Sequence, residues 1–246
     1  MKKREPYFFV VNVILLLIVV VGFGPSFFLR PLNDLAPLPI HLIIHGVSAT
    51  AWIVAIVLQS YWIQQGKVLR HARLGVYFSL IAPILVASGF WVLGYATELY
   101  HTDFAPHVAA TEDDGRTFRA LIITGDVWQL LLFLVFVYIG YRNRKHAFIH
   151  KRAMLIASIL LCQQALVRIG KMEFLMIGSE PGASGGMYAT FVPLLLLISI
   201  VVYDKRVHQK IQRISIAGIV AYLLFVGISV AIGASGLAVA VLEGFR

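Results

Sequence analysis

Seven long apolar runs constrain the folding of this chain more than any other feature of its sequence. Crossing the hydrocarbon layer of a bilayer takes about 20 apolar residues when each adds about 1.5 Å along a helix. Seven stretches of this kind are separated by charged or turn-rich connections. We predict membrane-spanning helices over residues 7–29, 39–63, 74–97, 118–141, 150–170, 187–203 and 214–241.

Composition excludes an ordinary soluble domain. Of the 246 residues, 59% are hydrophobic and only 13% are charged, whereas a soluble domain carries about 25% charged residues in order to face water. The first apolar run is too long for a secretory signal and lacks a cleavage site, so we expect a retained helix. The sequence therefore predicts an all-α polytopic bundle, a single transmembrane domain over residues 1–246, with the lipid bilayer as its main partner.

The distribution of positive charge predicts the orientation of the bundle. Fifteen of the 21 lysine and arginine residues lie at the N-terminus or in the connections after the second, fourth and sixth runs. Short cytoplasmic loops are enriched in these residues. We therefore expect the N-terminus inside and the C-terminus outside, in a bacterial-type inner (plasma) membrane. The net charge of +9 is explained by this topology, and no nucleic-acid partner is expected.

The second run carries a polar stripe along an otherwise apolar helix. Its members recur at steps of three and four residues, which places them on one helical face. Polar side chains are costly in lipid and normally face protein or a water-filled cavity. We expect this stripe to face the bundle interior; it consists of His41, His45, Ser48, Trp52, Ala55 and Gln59.

The predicted topology places polar residues from several helices in the outer half of the bundle, where they could form one pocket. The pocket would bind a small hydrophobic or anionic ligand, or handle protons, with Asp126 and Arg168 forming an ion pair. The alternative is that these groups only specify helix packing, with Arg168 and Lys171 reaching the interface. The pocket residues are His41, His45, Asp126, Gln129, Gln164 and Arg168, with Glu98, His101 and Glu173 nearby.

Two histidine pairs have the spacing of metal ligands on a helix. His41 and His45 are four residues apart, which points two imidazoles in the same direction, as ligation requires. His146 and His150 have the same spacing but lie at the opposite, inner side in the predicted topology. This separation excludes a shared di-iron centre and leaves His41 and His45 as the metal-site candidates.

On the inner side, His71 and His150 begin the third and fifth runs at matching depth. They could supply the two axial ligands of a haem b, with its propionates bound by Arg73, Lys151 and Arg152. The alternative is that both histidines simply belong to basic loop ends. An outer haem partner for His45 is missing, because the fourth run carries Asp126 in place of a histidine.

Two further features concern packing. Pro83 should kink the third helix, since proline lacks the backbone N–H. Gly227, Ala231 and Ser235 are small residues at four-residue spacing in the seventh run. They predict a close helix–helix contact.

Two short motifs suggest a relationship. His71-Ala72-Arg73-Leu74-Gly75 opens one run, and His150-Lys151-Arg152-Ala153-Met154 opens another that carries Arg168 near its end. Over residues 40–171 the chain resembles an uncharacterised bacterial multi-pass membrane family, a domain of unknown function, and is loosely similar to two-haem cytochrome b membrane proteins. The resemblance implies this architecture and supports the choice of these histidines, but it implies no reaction.

The leading functional hypothesis is a redox-associated membrane protein with a haem, metal or quinone site. A non-redox carrier or small-ligand binder using the outer Asp/Arg/His pocket is the second hypothesis. An accessory subunit of a membrane complex, with other subunits as partners, is the third. The sequence leaves open whether the protein is an enzyme.

Overall fold

A computed structural model describes residues 6–102, 112–172 and 181–244 of the chain. Side chains are described for these residues except 98–102, 112–119, 181–183 and 233–234. The described part is helical, without strands, which confirms the predicted all-α class. Its α-helices are α1 (Tyr7–Phe23), α2 (Ile40–Gln64), α3 (Val68–Ser79), α4 (Ile81–Thr102), α5 (Glu112–Arg142), α6 (Ala147–Leu161), α7 (Gln163–Gly170), α8 (Pro181–His208), α9 (Arg213–Ala234) and α10 (Leu237–Glu243).

These elements build seven rods that are long and apolar enough to cross a membrane, as judged over the described residues. A helix satisfies its own backbone hydrogen bonds, so it suits a segment whose side chains are apolar on every face. Two rods each contain two helices in line, α3 with α4 and α6 with α7. The rods span residues 7–28, 40–64, 68–97, 120–142, 147–170, 184–208 and 213–232.

The third rod is interrupted where Pro83 requires it. The proline nitrogen cannot donate to the Ser79 carbonyl, so the regular i to i−4 ladder fails one turn earlier. The chain tightens there, and the Leu80 N–H donates to the Tyr77 carbonyl at 3.1 Å. The structure thus divides the rod between Ser79 and Ile81, in line with the predicted kink.

The seventh apolar run is not one helix to residue 241. Helix α9 ends at Ala234, and Gly236 adopts a left-handed conformation with φ of 68°. This conformation suits glycine because it has no Cβ. The chain then continues as α10, which packs against α5 through the buried Ala238 and Leu242.

The fifth rod, α6 with α7, is the central helix of the bundle. Of its most apolar 18-residue window, 67% is buried, against 17% for the seventh rod. It contacts α1, α2, α5, α8 and α9. The largest fully buried apolar side chains of the core come from this rod, from the helices that it contacts and from α4: Leu15, Trp52, Leu85, Phe133, Leu155, Ile156, Ile159, Leu160, Leu197, Ile200 and Tyr222.

The polar stripe of α2 faces inward, as predicted. Five of its six members are buried and His45 is half-buried. The opposite face of α2 exposes Ile43, Ile44, Val47 and Val54. Exposed apolar side chains cover the other rods in the same way, so the bundle is polar at selected interior points and apolar outside.

Small residues create close helix contacts, but not where the sequence suggested. A Cβ added to Gly22 would overlap the Ala165 carbonyl, so α1 and α7 touch through their backbones. A Cβ on Gly170 would lie 2.7 Å from the Ser184 carbonyl oxygen. Around Gly227, by contrast, nothing described lies within 4 Å. Gly227, Ala231 and Ser235 are all exposed, so this face of α9 makes no close contact with the other described helices.

Candidate ligand-binding cavity

The bundle has two chemically distinct ends. One end, called here the basic end, carries the cationic connections after α2, α5 and α8. At the other end, called here the cavity end, helices α1, α2, α4, α5 and α7 surround a cavity of about 340 Å³. Its walls are mostly apolar, formed by residues such as Val19, Phe23, Leu42, Leu85 and Leu130. The polar side chains that line it are Ser26, Arg30, His45, Thr50, Asp126, Gln129, Gln164 and Arg168.

The connection between α1 and α2 covers this cavity. Helix α1 continues as a π-helical turn over Gly24–Phe28 and then a 3₁₀ turn over Arg30–Asn33. The Phe27 ring packs on the backbone of Gly46 in α2, where a Cβ would overlap it. π-Helical turns are rare and are frequent at functional sites. The chain here folds back over the cavity, with the Leu29 N–H donating to the Gly24 carbonyl at 2.8 Å and the Leu32 N–H donating to the Leu29 carbonyl at 2.9 Å.

His45 anchors the α2 side of the cavity against α4. Its Nδ1 lies 3.2 Å from Ser88 Oγ, which also lies 3.2 Å from Ser48 Oγ. The Ser88 and Ser48 hydroxyls donate to carbonyls of their own helices, at 2.9 Å in both cases. The imidazole is thus held in place with its ring at the cavity.

Asp126 and Arg168 face the same cavity but do not form the predicted ion pair. No nitrogen of Arg168 lies within 4.0 Å of an Asp126 oxygen. Instead, Gln164 stands between them. Its Nε2 donates to Asp126 Oδ1 at 2.6 Å, and its backbone carbonyl accepts from Arg168 Nη1 at 2.9 Å. The Arg168 guanidinium lies over the Phe23 ring, 4.4 Å from its centroid.

Gln129 contributes a buried amide to the same wall. Its Nε2 donates to the Leu160 carbonyl at 2.6 Å, just before the central rod is interrupted at Cys162. The bond ties α5 to the central rod beside the cavity. The structure therefore brings together His45, Asp126, Gln129, Gln164 and Arg168, five of the six residues predicted for the pocket.

His41 is the predicted pocket residue that does not line the cavity. It is buried against α4, with its ring centroid 4.4 Å from that of Tyr95 and 6.0 Å from that of Trp91. Its Nε2 has no hydrogen-bond partner within the described structure. No group of three or more His, Cys, Asp or Glu side chains in the described ranges could hold a metal ion. A metal site at His41 and His45 thus has no third protein ligand among those residues.

Three residues that the sequence placed near this pocket lie outside the described side chains. They are Glu98, His101 and Glu173.

At the basic end, the structure brings His71 and His150 together. Their ring centroids are 6.0 Å apart. His150 Nδ1 lies 2.9 Å from the Gly140 carbonyl, so it donates there. The Gln59 amide, oriented with its NH₂ group toward His71, donates to Nδ1 and to the carbonyl of that histidine. His150 therefore donates from Nδ1, as ligating histidines do to their supporting contacts, and keeps Nε2 as an acceptor. His71 Nδ1 instead accepts from Gln59, so the Nε2 of that ring carries the proton.

The expected propionate partners do not fit a haem at this pair. Arg152 is fully buried and paired with Asp204, its Nη1 donating to the Phe148 carbonyl at 2.9 Å. The Lys151 ammonium lies over the Phe8 ring, 4.4 Å from the centroid. Arg73 alone of the three predicted partners is exposed. The role predicted for Arg152 was wrong because a buried carboxylate already holds its guanidinium.

Sequence reasoning missed that carboxylate. Asp204 is buried and accepts from Arg152 Nε at 2.9 Å, from Ser215 Oγ at 2.6 Å and from the Gln212 N–H at 3.2 Å. A signal was present, since Asp204 is the only acidic residue between Gly182 and Leu242. An acidic residue beside several lysines and arginines is expected to pair with a cation, but the sequence does not identify which one.

Comparisons with family models, curated proteins and solved structures found no match to this chain. The site must therefore be interpreted from its own chemistry. A mostly apolar cavity with a few convergent polar groups is the usual form of a small-molecule site. Here the walls would bury an apolar body, and the polar groups on one wall would orient a head group.

Proposed function

We propose that the protein is a multi-pass membrane protein that binds a small ligand with an apolar body and a polar head in the cavity end of its bundle. The observation that carries this proposal is the convergence of His45, Asp126, Gln129, Gln164 and Arg168 on one apolar-walled cavity. Polar and charged side chains inside an otherwise apolar bundle are costly. Three helices bring these side chains to one cavity. The polar head of a bound ligand would interact with them there and offset this cost.

The membrane setting and orientation belong to the same proposal. The seven apolar rods and the apolar exterior support insertion into a bilayer. The cationic connections at the basic end support a cytoplasmic location for that end, by the preference of lysine and arginine for the inner side. The cavity then lies in the outer half of an inner (plasma) membrane, and its ligand enters from the outer side.

Filling the cavity tests the proposal. Ala49 lines it, so Ala49→Phe should place a benzyl group where the ligand body lies. Small molecules released by denaturing the protein, purified in lipid nanodiscs, are compared by mass spectrometry. The wild type should release one compound in stoichiometric amount, and the Ala49→Phe variant should release less than about a tenth of it.

Val47→Phe is the matched control, since Val47 is on the same helix but faces outward and is 55% exposed. This variant should retain the compound. Equal release from both variants would contradict binding in the cavity.

A redox role is a second candidate, favoured by the adjoining His71 and His150 rings at the basic end. The Nε2 of His150 would be free to ligate a haem or a metal ion, which would supply electron transfer, because that ring donates from Nδ1. His71 would first have to give up the Gln59 contact at its Nδ1. A quinone, the third form of this hypothesis, would use the cavity itself. A visible oxidised-minus-reduced spectrum and a metal analysis of the purified protein test the histidine site. A Soret band or stoichiometric metal would support that site, and the absence of both would exclude it.

A further inference from the structure

We infer that the cavity recognises a small zwitterion with an apolar side chain, its ammonium bound by Asp126 and its carboxylate by Arg168. This inference rests on the ligand-binding function proposed above and names the class of ligand for the same cavity. The charges of Asp126 and Arg168, rather than the shape of the walls, indicate this class.

The charged groups of Asp126 and Arg168 are held apart at the cavity. Asp126 and Arg168 have opposite signs, line one cavity and stay further apart than the 4.0 Å of an ion pair. Opposite charges that line one cavity attract each other. Here Gln164 holds them apart, with its amide on Asp126 and its backbone carbonyl on Arg168. The gap between them is the place where a ligand group can complete both interactions.

The charges of Asp126 and Arg168 restrict the charge of the ligand. A simple anion would pair with Arg168 but would lie beside the Asp126 carboxylate, and a simple cation would have the converse problem. The second cation at the cavity, Arg30, already donates to the Ala36 and Ser26 carbonyls of the connection between α1 and α2. A quinone offers only acceptors, so it gives Asp126 no donor. A zwitterion supplies a donor to Asp126 and an acceptor to Arg168. The planar guanidinium can bind a carboxylate through two parallel hydrogen bonds.

The volume of the cavity limits the size of the ligand. A volume of about 340 Å³ is at the small end of the range for small-molecule sites, about 300–1,000 Å³. It leaves room for an α-amino acid head and an aliphatic or aromatic side chain, against walls such as Phe23, Leu42 and Leu130. A full acyl lipid would exceed this volume. The observations therefore favour an apolar amino acid or a close analogue.

Three probes with the same aromatic body test the inference: L-phenylalanine, 3-phenylpropionate, which lacks the ammonium, and phenethylamine, which lacks the carboxylate. Binding to the purified full-length protein is measured by equilibrium dialysis of radiolabelled probe. L-Leucine is included as a zwitterion with an aliphatic body. The wild type should bind one of the two amino acids at least about tenfold more tightly than either singly charged analogue, since a site built for a polar group rejects ligands that lack it.

Two substitutions should alter this preference in opposite ways. Asp126→Asn should abolish the preference for L-phenylalanine over 3-phenylpropionate and keep the preference over phenethylamine. Arg168→Gln should do the reverse. Asp34→Asn and Arg144→Gln make the same chemical changes at side chains that do not line the cavity, and both should leave all preferences unchanged.

The change in selectivity keeps the test informative even if a variant is less stable, because the ratio of two affinities does not depend on the folded fraction. The inference is overturned if either analogue binds the wild type as tightly as the amino acids, or if neither amino acid binds. The ligand-binding proposal fails separately, through equal release of compound from Ala49→Phe and Val47→Phe.

Discussion

At the scale of single residues, the best-connected polar group of the described structure is Asp204 at the basic end. Both it and Arg152 are fully buried. The carboxylate also accepts from Ser215 and from the Gln212 backbone. These bonds join the start of the central rod to the end of α8 and the start of α9. Burying two charges costs free energy, and the hydrogen bonds between them offset this cost. Removing one partner leaves the other charge buried without a counter-charge, so its desolvation is no longer offset.

Replacing this carboxylate should therefore cost more than replacing an exposed one. Asp204→Asn leaves the Arg152 guanidinium buried without a counter-charge, and we expect a loss of about 3–5 kcal/mol in the free energy of unfolding. Thermal unfolding in detergent measures the effect, with the exposed Asp34→Asn as control. The double variant Arg152→Met, Asp204→Leu should be more stable than Asp204→Asn alone. A double variant less stable than the single would contradict the assignment of the cost to the unpaired cation.

At the scale of elements, α8 shows how a proline is tolerated inside a long apolar helix. Pro193 has no N–H to donate to the Ala189 carbonyl one turn earlier. The Tyr222 hydroxyl of α9 lies 2.9 Å from that carbonyl and from the Thr190 carbonyl. The Gln163 amide of α7 approaches the Ala189 carbonyl at 3.4 Å. The acceptor freed by the proline thus becomes the point at which α7, α8 and α9 are joined, as expected where backbone groups must be satisfied away from water.

Tyr222 therefore stabilises the bundle through its hydroxyl as well as through the packing of its ring. Tyr222→Phe retains the ring but removes the donor, leaving the freed Ala189 carbonyl dependent on Gln163, and we expect a loss of about 1–3 kcal/mol in the free energy of unfolding. The control is Tyr138→Phe, which removes the same hydroxyl from a side chain that is 64% exposed. Chemical denaturation in mild detergent compares the two. Equal stability of both variants would show that the hydroxyl contributes nothing to the joint.

At the scale of the whole molecule, charge and apolarity are arranged in reverse of a soluble protein. Exposed apolar side chains surround the rods, while Arg152, Asp204 and Gln163 are buried. Cations gather at the basic end, and the cavity opens at the other. This arrangement supports a fixed orientation in a bilayer with the basic end inside.

Cysteine labelling in intact cells checks that orientation. The natural cysteine, Cys162, is fully buried and should contribute little background. A membrane-impermeant maleimide should label Asp34→Cys in intact cells, because that position lies at the cavity end. It should label Arg144→Cys, at the basic end, only after permeabilisation. The reverse pattern would invert the proposed topology.

Much of this architecture follows from the sequence because apolar length and helical period are local properties. The seven runs, the kink at Pro83 and the inward stripe of α2 all follow from them. Pairing across helices does not. Arg152 appeared free for a cofactor because its partner Asp204 is 52 residues away, and Asp126 was matched to Arg168 on charge alone although Gln164 separates them. The face of α9 that carries Gly227 likewise depends on neighbours that the sequence does not identify.

The covering connection of the cavity is held together mainly by itself. Arg30 donates to the carbonyls of Ala36 and Ser26, and Asn33 donates to those of Pro25 and Leu29. All four acceptors belong to the connection, so these bonds stay intact if it swings outward as one piece. Such a movement would give up the contact of the Phe27 ring with Gly46. We therefore expect exchange between the cavity and its surroundings to depend on the size of the side chain at position 27.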